Sequence, residues 1–219
     1  PREIERMCFE VYRDIYWKGG PVLMSAISGI EMAMWDITGK FFNAPVYALM
    51  GGKLRDSVRM YANAWFVGAK TPEEFAKAAR KAVNLGVTAL KWDPFGKAHM
   101  TLENRELNQA SAIVGAVREA VGPEIDLLIE CHGRFNAFTA LRIAQELRQY
   151  EIMLMEEPCP PDNLSVLAEI RSKSPVPISA GERVYTKFGF DDLFARNAVD
   201  IVQPDIFHAG GMFESKKIA

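Results

Sequence analysis

The chain has 219 residues, enough for a sizeable core, and its 49% hydrophobic and 25% charged content is that of a globular protein. A formal net charge of −2 leaves no basic surplus for a phosphate backbone, and no apolar run reaches the ~18 residues of a membrane helix. Nucleic-acid and membrane partners are therefore set aside. Cys8, Cys131 and Cys159 are odd in number and match no zinc spacing, which reads as a reduced, cytoplasmic protein without a disulfide framework.

Residues 3–17 place Ile4, Met7, Cys8, Val11 and Ile15 at helical spacing and predict a first helix, which Gly19-Gly20-Pro21 breaks. A second helix is predicted over 25–42, with Ile27, Ile30, Met34, Trp35 and Ile37 on its apolar side, closed by Asn43-Ala44-Pro45 and Gly51-Gly52. From residue 57 the pattern changes. A β-prone stretch at 58–65 precedes a helix at 72–85, with Pro72 pre-set for the first turn and Gly86 as the stop. Strands are then predicted at 87–92, 125–129, 152–155, 177–179 and 199–202. Helices are predicted between them at 102–121, 137–150, 163–173 and 188–197, and a last one begins at 213.

Strands that alternate with helices and lack strict polar alternation describe a parallel sheet covered on both faces. Six strand–helix units fit an open doubly wound sheet and a closed (β/α)₈ barrel almost equally well, and a barrel would lack two units. The expected division is a helical part at 1–56 and the strand–helix units at 57–219. Because the chain opens on proline within a helical pattern and stops within another, it is expected to be a piece of a longer one. With two barrel edges unpaired, the piece is expected not to fold stably alone.

The sequence Leu127-Leu128-Ile129 runs into Glu130, Met153-Leu154-Met155 into Glu156, and Ile178-Ser179-Ala180-Gly181 into Glu182. The three glutamates are 26 residues apart. A parallel array turns the same end of every strand the same way, so the three carboxylates are expected on one rim, where barrels carry their catalytic groups. Three crowded anions raise one another's pKa unless a cation intervenes, and all-oxygen ligation suits Mg²⁺. His132, two residues after Glu130, Lys91 near the end of its strand and Asp205 just past the last strand add an acid–base inventory at the same rim.

The segment Gly29-Ile30-Glu31-Met32-Ala33-Met34-Trp35-Asp36-Ile37-Thr38-Gly39-Lys40, followed by Pro45-Val46 and Leu49-Met50-Gly51-Gly52, resembles a helix signature of the mandelate racemase/muconate lactonising group of the enolase superfamily. Glu156-Glu157-Pro158, Gly181-Glu182-Arg183 and Gln203-Pro204-Asp205 with Gly210-Gly211 are similar to that group's barrel motifs, so the resemblance covers nearly the whole chain. It implies a (β/α)₇β TIM-like barrel, here incomplete at about six βα units, preceded by the helical part of an α+β capping domain. It also implies Mg²⁺ held by Glu130, Glu156 and Glu182, with Glu157 a neighbour and with glutamate at 130 where aspartate is commoner.

The family reaction removes the proton α to a carboxylate, the metal stabilising the enediolate. Racemase-type members carry Lys-x-Lys on the second barrel strand; here Lys91-Trp92-Asp93 lacks the second lysine. Glu130-Cys131-His132-Gly133-Arg134 is instead similar to galactonate-dehydratase-like members, in which the histidine is the general acid. The resemblance thus implies an acid-sugar dehydratase, a hydro-lyase. In it His132 protonates the departing hydroxyl, Lys91 faces the substrate carboxylate, and Asp205 orients a base from a strand beyond Ala219. Arg134, Asn136 and His208 are candidate contacts to a small sugar-acid substrate, and the family's assemblies imply a homo-oligomer. The alternatives are a racemase, epimerase or cycloisomerase of the same superfamily, or a truncated homologue without turnover.

Overall fold

The computed structural model describes residues 3–219. In chain order it forms α1 (Ile4–Asp14), α2 (Pro21–Phe42), α3 (Val46–Leu49), α4 (Pro72–Val83), β1 (Ala89–Trp92), α5 (Asn104–Val121), β2 (Asp126–Glu130) and α6 (Ala137–Leu147). A 3₁₀ turn (Arg148–Tyr150) leads to β3 (Leu154–Glu156), α7 (Leu164–Lys173), β4 (Ile178–Ala180), α8 (Thr186–Ala195), β5 (Ile201–Val202) and α9 (Met212–Ile218). These elements divide into two compact units, one comprising Arg59–Ala180 with Arg196–Ile201, the other the residues up to Val58 with Gly181–Ala195 and Val202–Ala219.

The strand–helix unit is an α/β array whose sheet runs strictly in chain order, β1-β2-β3-β4-β5, with parallel pairing between β1, β2, β3 and β4. A doubly wound sheet reverses its strand order at a switch point; this one does not, and the sequential order is that of a barrel wall. Side chains alternate with period two, so each strand serves two faces. Leu90, Leu127, Ile129 and Met155 are fully buried on one face. On the other, Ala89, Leu128 and Leu154 form an apolar layer completed by Ile201. Two residues further along, this second face changes from apolar to charged, with Lys91, Glu130 and Glu156.

The stretch at 58–65, expected to be a strand, makes only one parallel bridge, Ala62 to Leu90, through Ala62 N–H to Ala89 O and Lys91 N–H to Ala62 O, both 2.9 Å. The chain turns left-handed at Ala64 (φ 57°), whose N–H bonds to the Asn63 side chain at 2.7 Å, and that turn ends the pairing. α4 opens on a reciprocal cap: Thr71 Oγ1 accepts from Glu74 N–H while Glu74 Oε2 accepts from Thr71 and Lys70 N–H. It packs against α5, and its buried residues are Phe75 and the three alanines Ala76, Ala79 and Ala82.

In the helical unit, α2 begins at Pro21 behind Gly20 (φ 78°), four residues earlier than expected, because proline fits a first turn whose N–H groups have no partner. Its Glu31 is 2% exposed and accepts three hydrogen bonds. They come from Trp35 Nε1 (2.7 Å) and from the N–H groups of Met212 and Phe213 (2.9 Å each), so a side chain of α2 caps the start of α9. Gly211 (φ 95°) permits this, since a Cβ there would stand 2.3 Å from Glu31 Oε2. Cys8, Cys131 and Cys159 are all free thiols. Among the described residues no helix is long and apolar enough to cross a membrane.

Candidate active site

The charged row of the strand–helix unit follows from register. Glu130 on β2 is the direct partner of Glu156 on β3, and Lys91 on β1 pairs with Leu128, two residues before Glu130. Lys91 Nζ reaches forward to both carboxylates, 2.8 Å from Glu130 Oε2 and 2.5 Å from Glu156 Oε2, with the three side chains 7%, 5% and 2% exposed. Burial by itself would lower the Lys91 pKa, but the hydrogen bonds to Glu130 and Glu156 outweigh it and hold the ammonium above its ordinary value. Burial likewise pushes Glu130 up, and the bond to Lys91 and the His132 N–H more than offset it, leaving Glu130 below the usual carboxylate range. The Tyr61 ring lies 5.5 Å from Nζ, and Trp65 Nε1 donates to Lys91 O at 3.1 Å, so the lysine is held from behind as well.

The loop after β2 carries the second group. His132 adopts φ 53°, a left-handed conformation that costs a non-glycine residue about 1–3 kcal/mol. Its N–H donates to Glu130 Oε1 at 2.7 Å, and Gly133 N–H to Glu157 O at 2.7 Å, which pins the turn against the β3 end. The half-exposed imidazole places Nδ1 2.8 Å from Asp93 Oδ2. Arg134 Nη2 donates to the same oxygen at 2.6 Å, while its Nε and Nη1 donate to Cys131 O and Gly96 O at 3.0 Å each. Asn136 is the N-cap of α6, its Oδ1 accepting from Thr139 N–H at 2.8 Å. Arg134 and Asn136, read as candidate substrate contacts, thus both have structural work within the loop.

Equal spacing does not become equal register. The β4 partner of Glu156 is Ser179, three residues before Glu182, and β4 ends at Ala180. Glu182 lies in the turn beyond, in the helical unit, with its carboxylate 3.8 Å from Arg183 Nε. Asp205 and His208 belong to that unit too. Asp205 Oδ1 accepts from Phe207 N–H at 2.8 Å, its Oδ2 is 3.8 Å from His208 Nε2, and His208 Nδ1 is 2.8 Å from Ser25 Oγ. Among the described residues no group of three or more His, Cys, Asp or Glu side chains is gathered as an ion site. What the strand–helix unit draws together is the pair Glu130 and Glu156, sharing one cation.

That pair fits a hard metal. Its donors are all oxygen, it is buried, and the Lys91 ammonium already stands where positive charge is required. Asp93 is the residue that sequence reasoning did not single out, having registered there only as the absence of a second lysine. Its signal was available: it follows Lys91 by two, and Arg134 follows His132 by two.

A parallel array in barrel order, with a carboxylate row at its strand ends and a histidine beside it, defines a class of protein. The chain belongs to the enolase superfamily: residues 74–219 match the family described as enolase C-terminal domain-like, and residues 1–51 the mandelate racemase/muconate lactonizing enzyme N-terminal domain. It is 40% identical over 220 residues to a D-gluconate dehydratase of Thermoproteus tenax, covering all of this chain and 44% of that one. It is 35% identical over 219 residues to a D-galactonate dehydratase of Pectobacterium atrosepticum, covering all of this chain and 56% of that one. A mandelate racemase/muconate lactonizing enzyme-like protein of Rubrobacter xylanophilus superposes with a TM-score of 0.90 at 39% identity, over 100% of this chain and 61% of its own. The chain spans about half the length of the curated relatives it matches.

Proposed function

We propose that the full protein to which this chain contributes is a Mg²⁺-dependent dehydratase of aldonic acids. What carries the reading is the buried Lys91–Glu130–Glu156 row with the Asp93-bound His132 on the adjoining loop, in a chain similar to gluconate and galactonate dehydratases. Glu130 and Glu156 would hold the ion. When bound, Mg²⁺ supplies the positive charge against which a substrate carboxylate acidifies its neighbouring C–H bond.

The chain's own residues divide the remaining work. Lys91 adds fixed positive charge beside the carboxylate. Asp205 orients the base that takes the C2 proton, and the C2–H electron pair is drawn toward C1. His132 then gives its proton to the 3-hydroxyl as the C3–O bond breaks, so that water leaves and the enol of a 2-keto-3-deoxy acid remains. Hydroxide is a poor leaving group, and a positioned general acid contributes about 10²–10⁴-fold to such a step.

The test is an aldonate panel given to the full-length protein with and without Mg²⁺, with His132→Asn beside it. Expected are Mg²⁺-dependent 2-keto-3-deoxy acid formation and a variant that loses dehydration while still exchanging the C2 proton with deuterated solvent. Equal loss of both would sink the general-acid role. One observation favours a second reading, a homologue that binds without turnover: Lys91 already satisfies both buried carboxylates. Absence of product on the whole panel, with Mg²⁺ present, would select it.

A further inference from the structure

We propose that Asp93 is the positioning residue for His132: its carboxylate fixes the imidazole with the proton on Nδ1, so that Nε2 is the ring nitrogen presented for proton transfer. The inference deepens the dehydratase reading and rests on it for its catalytic consequence, but the geometry that carries it is independent of substrate and metal.

An ionised carboxylate only accepts hydrogen bonds. A ring nitrogen 2.8 Å from Asp93 Oδ2 must therefore carry a hydrogen whichever protonation state the ring is in, and that nitrogen is Nδ1. Asp93 can impose this because it cannot turn away. Its Oδ1 accepts from Phe95 N–H at 2.9 Å, and its Oδ2 takes both the imidazole and the Arg134 guanidinium, the latter at 2.6 Å. Arg134 is in turn tied to two backbone carbonyls, Cys131 O on the histidine's own turn and Gly96 O on the turn after β1. One guanidinium therefore clamps together the two loops that carry the acid and the histidine.

The backbone agrees. Left-handed φ at both His132 (53°) and Gly133 (63°) makes the sharp turn that brings the ring back over β1, where Asp93 follows the last strand residue. An extended continuation of β2 would carry the imidazole up the strand axis instead, and the turn is held by the His132 N–H bond to Glu130. The imidazole is half exposed, and its Nδ1 is turned to the Asp93 carboxylate.

The experiment is ¹⁵N NMR of the His132 ring in the full-length protein, above neutral pH, for wild type, Asp93→Ala and the near-isosteric Asp93→Asn, without Mg²⁺ and with it. Expected is an Nδ1–H tautomer in wild type, a switch to the Nε2–H form preferred by a free histidine side chain in Asp93→Ala, and a mixture in Asp93→Asn, whose single amide oxygen cannot accept from Phe95 N–H and from the imidazole and guanidinium at once. On an aldonate, both variants should lose about 10²-fold in dehydration and keep C2-proton exchange within about threefold. Two results overturn the proposal: an Nε2–H ring in wild type, or dehydration and exchange falling together. If wild type turns over no aldonate but shows the Nδ1–H ring that Asp93→Ala abolishes, it is the dehydratase reading that fails and the positioning role that stands.

Discussion

Replacing Lys91 by methionine keeps the stem and deletes the charge, leaving Glu130 and Glu156 side by side in the sheet with almost no solvent to screen them. At 2.8 and 2.5 Å, an effective dielectric of ~20 gives gross attractions of about 6 and 7 kcal/mol, most of which repays the burial of three charges. The net loss on removing the cation is about 3–5 kcal/mol, the range found when a buried ion pair loses one member. Urea unfolding of the full-length protein reads it directly, followed by the fluorescence of Trp92, which is 1% exposed and lies 5.3 Å from the Trp65 ring.

The pH dependence supplies the internal check. In the wild type Glu130 is held below its ordinary value, so its contribution to stability is present above the unfolded pKa of ~4.3 and is lost as pH falls through the folded one. In the variant the two carboxylates are buried and mutually repelling, so their folded pKa values rise above the unfolded ones. Their penalty is full well above those values and is relieved on acidification. The gap between the two proteins should therefore be widest near neutrality and close toward pH ~4. Saturating Mg²⁺, at about 100 times its dissociation constant, should recover about 2.7 kcal/mol in the variant if the pair is an ion site. A gap under about 1 kcal/mol, or one that does not change with pH, would refute the buried-bridge argument.

Two further outcomes follow from the caps. Gly211→Ala puts a methyl 2.3 Å from Glu31 Oε2 at φ 95° and should destabilise the helical unit by about 2–4 kcal/mol, read as lost amide protection in α9. Thr71→Ala removes the N-cap of α4 and should cost about 1 kcal/mol in urea unfolding. The Glu74 carboxylate, held low by the N–H groups of Lys70 and Thr71, should keep that helix end protected above pH ~4.3 and release it as pH falls through its own lower value, visible in hydrogen exchange of residues 70–74.

How much of this was legible follows from which physics each feature uses. Lys91, Glu130 and Glu156 could be placed on one face because short apolar runs fix the strand register and side chains alternate with period two. The helix signature around Glu31 was visible as a pattern, but its role was not: the amides it caps lie 181 residues away, and no local rule connects them. The missing strand at 58–65 had the right propensity and lost it to one left-handed residue, Ala64, that composition does not announce. Glu182 kept the 26-residue spacing of its fellows, but β4 stops at Ala180, where Gly181 runs at φ 148° with Gln203 O only 2.7 Å from where a Cβ would be. Asp93 was hidden for a different reason. Its meaning arises only when two loops, some 40 residues apart in sequence, are closed on one guanidinium.

The Glu31 cap also bears on how such a chain leaves the ribosome. Its partners on α9 are made 181 residues after it, and translation at ~5–20 residues per second puts about 10–40 s between them. Throughout that interval α2 carries a carboxylate destined for burial together with Met24, Ile27 and Met34, with Trp35 Nε1 of its own helix to donate to it but neither α9 amide yet synthesised. The strand–helix unit, encoded in between, can complete most of its sheet first. The nascent helical segment is thus the stretch on which a chaperone would be needed longest.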